Sequence, residues 1–206
     1  MSSQLIVTGA VTGATLAGLL ATTIVNDKFR FWPTPGKGSW QSFVFWGLFR
    51  GLNLIALAIS FVEWRHWDGL SPDRLLGAGL AIICFSLYGW ACYALGRKNL
   101  YCGRDGLVTG GIYSWTRNPQ YATAIPAYLG LAAASNSAAA LAVASLLALC
   151  FALMAFAEER WLEAAYGAEY RRYRRTVARF YNWRYGVAFL KQEFARAREA
   201  AKEARL

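Results

Sequence analysis

Five apolar runs divide the chain, and the polar segments between them are short. The runs cover roughly Leu5–Val25, Ser42–Val62, Leu75–Leu95, Gln120–Ala134 and Ala138–Ala157. At about 1.5 Å per residue, roughly 20 helical residues cross a hydrocarbon core of about 30 Å. The pattern predicts an all-α, polytopic membrane protein with about five transmembrane helices. The fourth run is short, and Pro126 within it predicts a kink. Gly9, Gly13 and Ala17 suit close helix packing in lipid. No basic residue precedes the first run, so it is expected to be a retained span and not a cleavable signal. The tight polar turn Ser135-Asn136-Ser137 predicts a C-terminal helical hairpin from the last two runs.

Composition agrees with the pattern. Of 206 residues 56% are hydrophobic and 16% aromatic, more apolar than a soluble domain of this size. The net charge of +10 is clustered. Lys28, Arg30 and Lys37 follow the first run, Arg97, Lys98, Arg104 and Arg117 follow the third, and the C-terminal tail holds most of the rest. The loop after the second run and the Ser-Asn-Ser turn are poor in basic residues. Five spans with the N-terminus outside put every basic segment on the cytosolic side, near anionic lipid, and a nucleic-acid partner is not expected. Trp32 and Trp40 are expected at the headgroup level, and His66 in an interfacial loop.

The cysteines Cys84, Cys92, Cys102 and Cys150 form no CxxC pair, which argues against a disulfide framework and against zinc. There is no repeat and no second domain. Residues 1–206 are expected to form one unit, with N-terminal spans over 1–96, a motif-bearing half over 97–183 and a charged helix over 184–206.

Two polar segments carry the candidate chemistry. One is Gly106–Tyr121, GLVTGGIYSWTRNPQY, and the other is Glu158–Arg175, EERWLEAAYGAEYRRYRR. The topology above puts both on the cytosolic side, joined by the hairpin. Gly167 reads as a helix break, with Tyr170 and Tyr173 on one side of the helix after it. The chain lacks GxGxxG and GxxxxGK[ST], and its one histidine, His66, is expected on the membrane face opposite the two segments, so no Ser-His-Asp set is expected. What remains is carboxylates, Arg117, aromatics, and glycines that let backbone approach a ligand. Carboxylates hold an ammonium or sulfonium, arginine holds a carboxylate, and aromatic faces stack a purine. That inventory suits a zwitterionic nucleoside such as S-adenosylmethionine. Adjacent glutamates at a membrane exit are also a common solvated helix start. Within the second run, Arg50 and Asn53 share one helix face. Arg50 either faces a cavity or snorkels to the interface.

GGIYSWTRNPQY, followed some forty residues later by EERWLEAAYGAEYRRYRR, resembles the isoprenylcysteine carboxyl methyltransferase and phospholipid methyltransferase superfamily. The matching positions are Gly111-Ile112-Tyr113, Arg117, Pro119, Tyr121, Glu158-Glu159, Leu162, Tyr166-Gly167, Glu169-Tyr170 and Tyr173. The resemblance implies an integral-membrane enzyme that moves a methyl group from S-adenosylmethionine to a lipid-like or small amphiphilic acceptor. That acceptor would be an isoprenylcysteine-type carboxylate or a phospholipid amine. It implies a cofactor site of Gly111, Tyr113, Arg117, Asn118, Pro119, Tyr121, Glu158, Glu159 and Tyr170. Asn118 stands where the carboxyl methyltransferases have His, and unlike His it cannot carry a proton charge. Asn118 and Arg50 are the candidate catalytic residues, with Arg50 orienting an anionic acceptor head at the membrane-facing mouth. A membrane sterol-type reductase using NADPH and a non-catalytic membrane scaffold are the competing readings.

Overall fold

The structure is a computed structural model and describes residues 2–36, 38–64, 69, 71–101, 103 and 105–181. His66, Cys102, Arg104 and the charged segment 184–206 lie outside the described residues. The described chain is helical: α1 (Ser2–Val25), α2 (Trp40–Trp64), α3 (Pro72–Leu95), α4 (Arg97–Leu100), a 3-10 turn (Gly111–Ser114), α5 (Pro119–Ser135) and α6 (Ala138–Thr176). Four of these, α1, α2, α3 and α6, are long and apolar enough to cross a membrane. Large side chains such as Val7, Val11, Leu54, Phe61, Ile82 and Ile83 stay exposed on α1–α3, as suits helices that face lipid.

The fourth predicted span, α5, differs. It has 17 residues and falls outside that set. Eleven of the 17 are buried, because α5 is wrapped by α2, α3 and α6. Its contact with α3 is a crossing of small residues. A Cβ on Gly77 would sit 2.7 Å from the Ala134 nitrogen and the Gly130 oxygen, and one on Gly130 would sit 2.8 Å from the Gly77 oxygen. Only glycine allows backbones this close. On the other side of the bundle Gly9 and Gly13 of α1 admit Val143 and Leu146 of α6.

α5 runs through Pro126 as one helix. Proline has no N–H, so the carbonyl of Ala122, four residues earlier, loses its helical partner. The Tyr181 hydroxyl donates to that carbonyl. Asn136, in the left-handed conformation at φ 50°, ends α5, and Ser137 caps α6 by accepting from the Ala140 N–H at 3.2 Å. α5 and α6 then pack side by side. Residues 138–157 of α6 carry no charge, and Glu158 opens its polar part. Gly167 breaks the helix at φ 52° and ψ −121°, a region open to glycine at little cost. The redirected last turns bury Tyr170 and Tyr173.

Candidate functional site

The loop after α1, the segment from α4 to α5, and the polar part of α6 meet at one end of the bundle. Trp32 bonds Glu158, Arg160 pairs with Asp27, and Thr116 donates to the Arg179 carbonyl. Between them lies a cleft with about 750 Å³ of empty space, its open mouth included. Of the residues expected from sequence, Tyr113, Arg117, Asn118, Tyr121, Glu158 and Tyr170 line it. Leu162, Tyr166 and Trp161 complete one wall, and Gly103 and Gly106 belong to another.

Glu158 is half-buried, and its Oε1 accepts from Trp32 Nε1 at 2.8 Å and from the Tyr121 hydroxyl. Burial pushes its carboxyl up to about 7, against the lowering pull of the Tyr121 and Trp32 bonds. Trp32 comes from the N-terminal half, where no motif marks it. It is held by stacking on Phe45 at 4.0 Å and edge-on against Trp46 at 6.0 Å. Aromaticity was its only sequence signal.

Glu159 plays a different part from its neighbour and is not on the cleft wall. Its carboxylate takes Arg117 Nη2 at 2.9 Å and a fork from Arg179, Nε to Oε1 at 2.7 Å and Nη2 to Oε2 at 2.8 Å. Burial works to raise its pKa, but the Arg179 bond and the charges of Arg117 and Arg179 outweigh it and hold it below the usual carboxylate range. Arg117 is 7% exposed and also reaches the Tyr170 hydroxyl at 3.4 Å. Its Nε is buried without a partner.

The remaining expected residues fall as follows. Asn118 occupies the N-cap position of α5 but does not cap it; its Nδ2 donates to the Arg179 carbonyl at 3.0 Å. Pro119 is buried as the first residue of α5, where a missing N–H costs nothing. Gly111 is exposed and opens the 3-10 turn at φ 59°. Tyr113 is a bracket: it donates to the Ala91 carbonyl at 3.3 Å, accepts from Gln120 at 3.0 Å, and its own carbonyl accepts from Tyr173 at 2.5 Å. Arg50 is not brought to the cleft wall. It is exposed, its guanidinium 5.0 Å from the Trp46 ring, while Asn53 accepts from the Tyr128 hydroxyl at 2.5 Å.

A carboxylate and an arginine therefore line one cleft walled by tyrosines and a tryptophan, and the Nε of that arginine is buried without a partner. The donor set fits a ligand that carries a cation, a carboxylate and a flat ring. Residues 72–169 match the phospholipid methyltransferase family. A similar protein is the cobalt-zinc-cadmium resistance protein CzcN of Cupriavidus metallidurans, 37% identical over 144 residues, which are 66% of this chain and 62% of the relative. The chain thus spans less than two thirds of that relative's length. No solved structure matches the chain.

Proposed function

We propose that the chain acts as one integral-membrane methyltransferase, using S-adenosylmethionine and a lipid-like or small amphiphilic acceptor. The observation that carries this reading is the juxtaposition of Glu158 and Arg117 in a single tyrosine-lined cleft at the end of apolar helices, within a stretch of the methyltransferase family. When bound, S-adenosylmethionine supplies an electrophilic methyl on a sulfonium. Glu158 would hold the cationic part of the ligand, Arg117 its carboxylate, and the tyrosines its ring. Loops on both sides of the cleft would hold the partners at attack distance and exclude water.

The positive-inside pattern supports a cleft on the cytosolic side with the N-terminus outside. An acceptor would enter from the bilayer past Arg50 and Trp46, where the guanidinium can meet an anionic head. A carboxylate or thiolate acceptor needs no base, whereas an amine must lose a proton, and Glu158 is the carboxylate at hand. Among the described residues no group of three or more His, Cys, Asp or Glu could hold a metal ion.

The test is twofold. S-adenosylhomocysteine should raise thermal stability and NADPH should not; the reverse would favour a reductase, and no response to either a scaffold. Labelled donor in lipid extract should then move label into a carboxylate ester or a methylated amine, which identifies the acceptor. Arg50→Ala should raise the acceptor KM and leave cofactor affinity unchanged; unchanged turnover and KM would remove Arg50 from the account.

A further inference from the structure

Residues 177–181 leave α6 and run back along the loop before α5. The Arg117 N–H donates to the Ala178 carbonyl at 2.9 Å, and the Thr116 hydroxyl and Asn118 amide both donate to the Arg179 carbonyl at 3.0 Å. Tyr181 closes the strap onto Ala122. These bonds fix the backbone at Arg179 and none uses its guanidinium. The guanidinium lies 3.9 Å from the centre of the Phe156 ring and grips both oxygens of Glu159.

Two arginines therefore share one carboxylate. Arg171 and Arg174, on the outer side, are occupied with Glu163 at 3.7 and 3.0 Å. The Arg117–Glu159–Arg179 cluster keeps a net charge of +1, and within it the unpartnered group is Arg117 Nε, on a side chain 7% exposed. A buried donor on an uncompensated cation is costly, and an anion in the cleft relieves that cost. Without Arg179, Arg117 and Glu159 would neutralise each other, and an incoming anion would have to compete with Glu159.

We infer that Arg179 is a positioning residue which, by occupying Glu159, keeps Arg117 available for the carboxylate of an amino-acid-bearing ligand. On this assignment the two adjacent glutamates divide the work. Glu158 meets the ligand's cation, and Glu159 serves the arginines. Arg179 lies beyond the stretch that matches the family. The inference rests on the cofactor reading above.

The test compares binding of S-adenosylmethionine with that of 5′-methylthioadenosine, which has the nucleoside and no amino-acid carboxylate. Arg179→Ala should weaken the first about tenfold, the worth of a charge-assisted hydrogen bond, and leave the second unchanged. Thermal stability should change little, since the strap is held by its backbone. Arg179→Ala combined with Glu159→Gln restores the +1 charge and should bring S-adenosylmethionine affinity back to within about threefold of the parent, because only Arg117 then carries charge in the cluster. Equal loss of both ligands, unaltered binding of both, or failure of the double variant to recover overturns the assignment. If the unmodified protein binds methylthioadenosine and S-adenosylmethionine not at all, the cofactor reading falls and this assignment with it.

Discussion

Glu158→Gln isolates the charge that the cleft offers to a cationic ligand. A carboxylate and a cation about 4 Å apart attract by about 4 kcal/mol at an effective dielectric near 20. Desolvation of Glu158 offsets part of this, so the loss on neutralisation is about 2 kcal/mol, in line with a hydrogen bond to a charged group. Affinity for S-adenosylmethionine should fall about 30-fold. The glutamine can still accept from Trp32 and Tyr121, so the cleft wall should persist. Proton binding gives an independent route to the same quantity. With the carboxyl at about 7, Glu158 is mostly ionised at pH 8 and mostly protonated at pH 6, and affinity at pH 6 should be about tenfold lower. Without ligand the sign reverses. Burial raises the folded pKa, so the group's contribution to stability is full below the ordinary carboxyl range and is lost as pH rises through about 7. The rise in Tm caused by ligand should accordingly grow from pH 6 to pH 8. Equilibrium binding of labelled cofactor to purified protein measures all of this, with methylthioadenosine as the uncharged control. A parent protein whose affinity is flat over that range, together with a Gln variant within twofold of it, would refute the reasoning.

Three further expectations concern neighbours. Trp32→Phe keeps the stack on Phe45 but removes the donor to Glu158, so the midpoint of the affinity–pH curve should move upward; an unmoved midpoint counts against the bond. Gly77→Val should lower Tm sharply, since its Cβ would meet backbone atoms at 2.7 Å, whereas Gly79→Val, with open space around it, should be nearly silent. Tyr181→Phe should cost about 1–2 kcal/mol by leaving the Ala122 carbonyl unpaired. In a Pro126→Ala background, where the helical N–H returns, the same change should cost much less, and thermal unfolding of the four proteins measures the coupling.

The sequence by itself determined the helices and the chemistry on offer. Hydropathy and turn residues are local signals. They located the helices at 2–25, 40–64, 72–95 and 138–176 to within a few residues where an apolar run met a loop, and Gly167 and Asn136 marked breaks because backbone conformation is set residue by residue. The same signals placed α5 at 119–135, but its burial against three helices is a tertiary feature that hydropathy does not carry. Only the tertiary structure decided which polar group meets which. Two adjacent glutamates look alike in a sequence, yet a helix turns about 100° per residue, so one reaches the cleft and the other the arginines. Trp32 and Arg179 enter the site through partners 126 and 20 residues away, which no periodicity encodes. Asn118 spends its side chain on the strap, and Arg50 rests on Trp46 at the surface, because partner choice is made by packing across the bundle and is absent from any single stretch of the chain.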